Sequence, residues 1–369
     1  MSGFIPAPVA ALPWRILSIA TALAAIGCVA LFSAAGGSPM PWALSHALRF
    51  GVLLVVAVGI SFVPPERYKP FLFPAYAATL LLLIVVLALG IVGGGARSWL
   101  NLGVIHLQPS ELMKLTLVLT LARFYDLLPA SRIRSLDAVW PPLALLALPT
   151  GLIILQPDLG TATLLIFSAV TVMFLAGLPL RLFLGGSAVL AVLVPLSYGL
   201  LMPHQQRRVL IFLDPSQDPL GAGYHLTQSK IAIGSGGILG RGFLEGTQSH
   251  LDYLPEQHTD FIFAAIAEEW GLVGGLITIG LLFLLLRWGM QVALRAPGKF
   301  ERLAAAGLTA TIFFYTSVNL MMVMGLAPVV GIPLPLVSHG GSAMMTVMLS
   351  LGILMSIHRA TPPRSKRSI

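Results

Sequence analysis

The stretch His258-Thr259-Asp260-Phe261-Ile262-Phe263-Ala264, followed by Glu268-Glu269, places a carboxylate where a polar loop meets an apolar helix. The apolar run that begins here is long enough to cross a lipid bilayer. A charged residue in such a position is costly and therefore needs a structural or functional reason. Asp260 is accordingly the leading candidate for a functional residue.

The composition of the whole chain is that of an integral membrane protein. Of its 369 residues, 57% are hydrophobic and only 10% are charged. Since a spanning helix takes about 20 apolar residues, this composition accommodates roughly ten transmembrane helices. We predict an all-α, polytopic membrane protein with a single membrane domain, 1–369, and one long extracytoplasmic loop, 203–259, between helices 7 and 8. The apolar runs place the helices at 14–34, 43–63, 71–93, 110–128, 137–155, 158–177, 180–202, 260–286, 303–325 and 335–357.

The distribution of basic residues predicts the orientation of the chain. The formal net charge is +8, but lysine and arginine are concentrated in the short segments of one side, as they are on the cytoplasmic side of membrane proteins. The outer short loops contain only Arg97. We therefore predict a multi-pass protein of the bacterial cytoplasmic membrane, with both termini in the cytoplasm and no nucleic-acid partner. The inner basic residues are Arg15, Arg67, Lys69, Arg123, Arg132, Arg134, Arg181, Arg287, Arg295, Lys299, Arg302, Arg359, Arg364, Lys366 and Arg367.

The single cysteine, Cys28, excludes a disulfide framework and a thiolate metal site, and its place in the first apolar run is typical of a small core residue. That first run is too long for a signal peptide, and we expect it to remain as a span.

Helices 4, 6, 8 and 10 all begin at the outer face in this topology, and polar residues gather at their starts. Helix 4 opens with Gln108-Pro109-Ser110-Glu111, and helix 6 opens with Gln156-Pro157-Asp158. Proline in the first turn followed by an acid is a good helix start, so Asp158 could simply complement the helix dipole. Glu111 and Lys114 are spaced to meet on one helix face and neutralise each other. For Lys114, phosphate contact and structural pairing remain open alternatives.

The segment 331–342, which leads into helix 10, contains two prolines and a Gly-Gly pair at membrane depth. Irregular backbone there must be buried in protein or line a cavity. Ser338 and His339 lie in this segment, and His339 is either a satisfied structural histidine or a ligand contact. Asn319, in the ninth span, is expected to form a hydrogen bond between helices. Arg49, in the second span, is expected to pair with a carboxylate or with backbone carbonyls.

The long outer loop carries the basic residues Arg207, Arg208, Lys230 and Arg241, which are candidates for function. The spacing of apolar residues from Tyr224 to Ile233 predicts a helix at the membrane surface. The glycine run 234–242 resembles a nucleotide-binding loop only superficially, because no strand precedes it and no Gly-Lys-Ser/Thr ending follows it.

Glu268 and Glu269 lie about 12 Å further along the helix than Asp260 at 1.5 Å per residue. We expect them to pair internally or to face the cytoplasmic half of a cavity.

The outer ends of these helices thus combine acids with cations. The acids Asp260, Asp158, Glu111 and Glu256 would lie near Lys114, Arg97 and the basic residues of the long loop. Helix N-termini and guanidinium groups can hold a pyrophosphate, and a nearby carboxylate can act as a general base or as a ligand of a divalent cation. This chemistry suits an anionic substrate with a hydroxyl group to deprotonate.

Motifs dispersed over most of the chain identify a family. The chain resembles the shape, elongation, division and sporulation (SEDS) family of bacterial membrane proteins, and the stretch 218–237 favours its elongation branch over its division branch. One departure is His339, where the family commonly has tyrosine. The resemblance rests on the motifs at 96–103, 108–111, 156–161, 213–215, 218–224, 228–237, 246–249, 254–263 and 333–338.

The resemblance implies a peptidoglycan glycosyltransferase that polymerises lipid II during cell elongation, releases undecaprenyl pyrophosphate, and works with a class B penicillin-binding transpeptidase and the elongation machinery. It also implies an essential aspartate at Asp260, our candidate for the general base. No organic cofactor is expected, whereas Mg²⁺ or Mn²⁺ could accompany the pyrophosphate. The residues predicted to contact substrate are Lys114, Arg97, Arg207, Arg208, Lys230, Glu111, Asp158 and Ser338.

Two other functions remain open. A flippase for lipid-linked precursors would use the same cations, although transporters usually place polar groups along both halves of a path. A non-catalytic scaffold that only recruits the transpeptidase would tolerate substitution of Asp260.

Overall fold

The computed structural model describes residues 12–93, 96–101, 103, 106–200, 206, 210–212, 214, 218, 221–246 and 258–361, and most of these are helical. The α-helices of five or more residues are α1 (Trp14–Ala34), α2 (Trp42–Ser61), α3 (Leu72–Leu89), α4 (Pro109–Leu127), α5 (Trp140–Leu155), α6 (Leu159–Leu175), α7 (Leu180–Leu196), α8 (Ala222–Ser235), α9 (Ile262–Arg295), α10 (Lys299–Val323) and α11 (Gly341–Ala360). Shorter helical turns lie at Pro65–Tyr68, Lys69–Phe71, Ala130–Arg132, Leu136–Ala138 and Ser197–Leu200.

The ten predicted spans correspond to α1–α7 and α9–α11, so the prediction of a polytopic helical membrane protein is confirmed. Within the described residues, seven helical segments are long and apolar enough to cross a membrane, and α6 and α7 are shorter apolar helices. Apolar runs identify these helices because burial in lipid and burial in protein both require apolar surface.

A small antiparallel sheet after α3 was not predicted. Its strands are β1 (Ile91–Gly93), β2 (Ala96–Asn101) and β3 (His106–Leu107), in that order. The third predicted span therefore ends at Leu89 rather than at residue 93, since Gly90 is extended, with ψ 150°. The glycines that follow have low helix propensity, and the chain pairs as strands before it enters α4.

The helices α10 and α11 form the centre of the molecule. In their most apolar windows, 67% and 72% of the residues are buried, against 22% for α2. Around them, α10 packs against α4, α6 and α9, whereas α11 packs against α2. Glycines allow the segment between α10 and α11 to approach its neighbours closely: a Cβ on Gly27 would lie 2.4 Å from the carbonyl oxygen of Val337.

The helix α9 is broken at Gly271, whose φ of 64° and ψ of −161° are not helical. The break leaves backbone groups without helical partners, and the glycine run of the outer loop supplies them. The N–H groups of Arg241 and Gly242 donate to the carbonyls of Glu268 and Glu269 at 3.0 and 3.1 Å. In the other direction, the N–H groups of residues 272 and 273 donate to the carbonyls of residues 237 and 238 at 2.9 and 3.2 Å.

Two glutamates lie just before the break. Glu268 and Glu269 are buried, and a carboxylate oxygen of Glu269 accepts a hydrogen bond from the hydroxyl of Ser33, near the C-terminal end of α1. That end of α1 also packs against the segment leading into α11. The sequence analysis expects the glutamates to pair internally or to face the cytoplasmic half of a cavity. Internal pairing is what the structure shows for Glu269.

The glycine at this break is predicted to be indispensable. In Gly271→Ala, the new Cβ would lie 2.3 Å from the amide nitrogen of Gly240, and a positive φ strains alanine by about 1 to 3 kcal/mol. We expect a clear loss of thermal stability in detergent, measured as the Tm. The control is Gly280→Ala in the same helix, where a Cβ would meet nothing within 4 Å. Equal Tm values for the two variants would contradict the role given to the break.

Candidate functional site

The starts of α4, α6, α9 and α11 meet at one end of the helix bundle, as the sequence predicted. The side chain of Gln108, before α4, donates to Asp158 Oδ2, before α6, at 3.0 Å. The hydroxyl of Ser342, in the first turn of α11, donates to the carbonyl of His106 at 3.3 Å. Polar side chains at these helix starts therefore hold the elements together.

Asp260 lies in the turn before α9 and is partly exposed. The amide nitrogen of Asn319, on α10, donates to the backbone carbonyl of Asp260 at 2.8 Å and to that of Ile332 at 2.7 Å. Asn319 thus links the turn before α9 to the segment after α10 by hydrogen bonds, in line with the expected role between helices. Opposite the carboxylate is Gly331, where a Cβ would lie 3.5 Å from Asp260 Oδ2. The bond from Asn319 fixes the backbone of Asp260, and its carboxylate lies beside Gly331.

A buried ion pair lies in the first two turns of α4. Lys114 Nζ is 2.7 Å from Glu111 Oε1, and the two side chains are 1% and 5% exposed. The hydroxyl of Tyr315 contacts both Lys114 and Glu111, and the hydroxyl of Thr346 donates to Glu111 Oε2 at 2.9 Å. Because Tyr315 is four residues before Asn319 on α10, this network adjoins the segment that holds Asp260. Of the two alternatives for Lys114, structural pairing is the one observed.

Asp158 caps the start of α6, and Oδ1 accepts from the backbone N–H of Thr161 at 3.0 Å. Gln108 donates to the other oxygen. Asp158 therefore has the structural role at the helix start that the sequence analysis gave as one alternative.

Aromatic and imidazole rings cover the other side of the Asp260 turn. His258 stacks on Trp42, with ring centroids 4.3 Å apart, and its carbonyl accepts the N–H of His339 at 2.9 Å. Arg49 Nη1 lies 3.2 Å from Nε2 of His339.

The remaining residues that were predicted to contact substrate have structural roles, lie on α8 or fall outside the described residues. Ser338 is buried, and its hydroxyl accepts from the N–H of Leu334 at 2.8 Å, which is a structural role. Lys230 is exposed on α8, and its side chain lies against Gly325, beyond the C-terminal end of α10. The predicted helix from Tyr224 to Ile233 corresponds to α8, which packs against α9 and α10. Arg207, Arg208, Glu256 and the side chain of Arg97 lie outside the described residues.

No group of three or more His, Cys, Asp or Glu side chains that could hold a metal ion occurs among the residues with described positions. With the described carboxylates alone, a divalent cation here would also need oxygen ligands from the substrate or from water.

Sequence reasoning missed several members of the site. Tyr315 and Thr346 complete the buried network, and Trp42 supports His258. The available signal was weak: Tyr315 is one turn from Asn319, and Thr346 is four residues after Ser342. Their partners are remote in sequence, so spacing along one helix could not reveal them.

Comparison with protein families places the chain. The family model for FtsW, RodA and SpoVE, described as "Cell cycle protein", matches residues 13–362. Over 308 residues, the chain is 47% identical to the peptidoglycan glycosyltransferase MrdB of Escherichia coli (strain K12), with 83% of this chain and 82% of MrdB covered.

Solved structures give the same result. One, described as "Structural coordination of polymerization and crosslinking by a peptidoglycan synthase complex", matches with a TM-score of 0.83 and 37% identity, covering 95% of this chain and 98% of the other. The crystal structure of the rod shape determining protein RodA of Thermus thermophilus matches with a TM-score of 0.71 and 31% identity, covering 95% and 97%.

The buried pair on α4 provides a test of the site's architecture. In Glu111→Gln, Lys114 would remain buried without a carboxylate, and we expect a loss of about 3 to 5 kcal/mol in the free energy of unfolding. The double variant Glu111→Gln, Lys114→Met should recover much of this loss. The matched control is Asp126→Asn, which breaks the Arg123–Asp126 pair of the same spacing, whose side chains are 25% and 23% exposed; we expect a cost of at most about 1 kcal/mol there. Denaturant unfolding in detergent measures all three, and equal losses for the two single variants would contradict the assignment.

Proposed function

The chain belongs to the FtsW, RodA and SpoVE family of cell cycle proteins, and we propose that Asp260 is the general base of its reaction. It is an integral membrane protein and a peptidoglycan glycosyltransferase of the RodA type. Its substrate is lipid II, an undecaprenyl-pyrophosphate disaccharide-pentapeptide, and its product is a glycan strand.

The proposed step is a single inverting displacement. The hydroxyl oxygen of the acceptor sugar forms a bond to the anomeric carbon of the donor while the bond from that carbon to the pyrophosphate oxygen breaks. The α-linked donor thereby becomes a β-linked unit, and undecaprenyl pyrophosphate leaves with the electron pair. Asp260 takes the hydroxyl proton, because a base raises the nucleophilicity of the acceptor as the new bond forms.

The observation that carries this proposal is the anchoring of Asp260. Its backbone carbonyl is held by Asn319 at 2.8 Å, and the opposite wall is a glycine. A base has to be positioned within hydrogen-bonding reach of the proton that it removes, and a fixed backbone supplies this condition.

The donor pyrophosphate needs cationic side chains to bind it, and a cation that is already paired with a carboxylate is less suited to this role. Lys114 is buried and paired with Glu111, so its positive charge mainly balances the carboxylate and sets the local electrostatics. We propose that Arg207, Arg208, Arg97 and Lys230 supply the direct contacts with the pyrophosphate from the outer loops. Arginine is well suited to this role, since it binds phosphate oxygens in pairs.

A class B penicillin-binding transpeptidase is the partner that we propose, because a structural neighbour belongs to a complex that couples polymerization to crosslinking. The concentration of lysine and arginine in the short segments of one side supports an orientation with both termini in the cytoplasm. Asp260 would then face the periplasm.

Substitution of Asp260 tests the catalytic assignment. Asp260→Asn keeps the shape of the side chain but removes the base, and we expect polymerisation to fall by about 100-fold or more. The assay gives labelled lipid II to the purified chain with its transpeptidase and measures glycan polymer. Asp137→Asn is the control, since Asp137 is exposed and distant along the chain, between α4 and α5.

The alternative functions give different results in the same assay. A scaffold would leave polymer formation unchanged in Asp260→Asn, and a flippase would move labelled lipid II across vesicles without forming polymer in the parent protein. Either outcome would refute the base assignment.

We also propose that Mg²⁺ or Mn²⁺ binds together with the pyrophosphate, with Asp260 as the protein carboxylate closest to it. When bound, such an ion would neutralise charge on the leaving group. Addition of EDTA is expected to suppress polymerisation, and excess Mg²⁺ or Mn²⁺ should restore it. Full activity in EDTA would show that the reaction needs no exchangeable divalent cation.

A further inference from the structure

Arg49 is a charged residue inside the apolar helix α2, about 10 Å from the helix start at 1.5 Å per residue. It is exposed, and the residues beside it on the helix surface, Leu48 and Val52, are 62% and 64% exposed. This surface of α2 is therefore apolar except for one guanidinium group. A charge at this depth is costly unless a partner satisfies it.

The expectation that Arg49 pairs with a carboxylate is wrong for the part of the chain that the structure describes, where the ion pairs involve other residues. Its hydrogen-bond partner is His339, at 3.2 Å between Nη1 and Nε2. A guanidinium has only donors, so Nε2 must accept, and the ring is neutral. The two side chains together carry one positive charge.

The surroundings add further positive potential. A Cβ on Gly341, the first residue of α11, would lie 3.4 Å from Arg49 Nη1, so the guanidinium sits at the start of this helix. A helix N-terminus carries partial positive charge and disfavours a cation. The folded chain thus holds two positive groups together, and an anion between them would relieve the repulsion.

This position is continuous with the candidate active site. The N–H of His339 donates to the carbonyl of His258 at 2.9 Å, and His258 is two residues before Asp260. On the other side, the exposed face of α2 continues through Val52, Val55 and Val56, which are 64%, 73% and 41% exposed. An amphiphile could place its anionic head at Arg49 and its hydrocarbon chain along this face.

We propose that Arg49, oriented by His339, binds the phosphate of a polyprenyl pyrophosphate while the lipid chain lies along the exposed face of α2. This subsite rests on the proposed function, since it receives a lipid-linked substrate or product of the same reaction beside Asp260. Arg49 acts in binding, and His339 is a positioning residue that holds the guanidinium through its neutral ring.

Binding of undecaprenyl pyrophosphate to the full chain in nanodiscs tests the subsite directly. Arg49→Gln is expected to weaken binding by about tenfold or more, because a charge-assisted contact with phosphate is lost. Arg49→Lys should retain part of the affinity, since the charge remains but the paired geometry does not. The control is Arg134→Gln, an exposed arginine between α4 and α5, which should bind as the parent does. Unchanged affinity in Arg49→Gln overturns the proposal.

Two competitors define the ligand. If phosphatidylglycerol at equal concentration displaces undecaprenyl pyrophosphate, the site is a general one for anionic lipids, and the assignment to the substrate is overturned. If inorganic pyrophosphate competes with an affinity equal to that of undecaprenyl pyrophosphate, the lipid chain contributes nothing, and the role of the α2 face is refuted. Neither compound should compete at equal concentration. The Tm of each arginine variant in detergent is expected to match that of the parent, which separates lost binding from lost folding.

The outcome is independent of the base assignment. In EDTA, which removes divalent cations, Asp260→Asn should bind undecaprenyl pyrophosphate like the parent, whereas Arg49→Gln should raise the KM for lipid II more than it lowers kcat. If Asp260→Asn polymerised normally, the proposed base would fail, but the binding measurement would still decide the role of Arg49.

Discussion

Backbone amides and carbonyls at membrane depth must find hydrogen-bond partners within the protein, and the architecture around Asp260 follows from this requirement. The chain leaves regular helix at Gly271 and between α10 and α11. At Gly271 the partners come from the glycine run of the outer loop. Between α10 and α11, Asn319 bonds the carbonyl of Ile332, and Ser338 accepts the N–H of Leu334. Both irregular segments are fixed by these bonds, and Asp260 lies beside them.

Charged side chains within the helices, like the backbone groups, find partners within the protein, with one exception. Glu111 and Lys114 neutralise each other, and Tyr315 and Thr346 add polar contacts from α10 and α11, so three helices share one buried network. Removal of a single member leaves a buried group unpaired, which costs far more than the intact pair contributes. Arg49 differs, because its described partner is a neutral ring. Its charge remains available to an anion, whereas that of Lys114 is already compensated.

Much of this organisation was predictable from the sequence. Apolar runs located the ten spans, because hydrocarbon thickness fixes their approximate length, although the end of α9, the start of α11 and the end of α7 differ from the predicted bounds by six to nine residues. The i, i+3 spacing of Glu111 and Lys114 predicted their pairing, and the polar starts of four helices predicted that they meet. The helix break at Gly271 could not be predicted, since glycine is common in membrane helices and only the docking of residues 236–242 reveals its role. Arg49 and His339 are 290 residues apart, so neither could indicate the other.

The way in which Asp260 is held bears on its suitability as a base. The side-chain amide of Asn319 donates a hydrogen bond to the backbone carbonyl of Asp260. An amide does not titrate in the physiological range, so this anchor keeps its geometry whether or not the carboxylate carries a proton. A residue that must take up and release a proton in every cycle benefits from such an anchor.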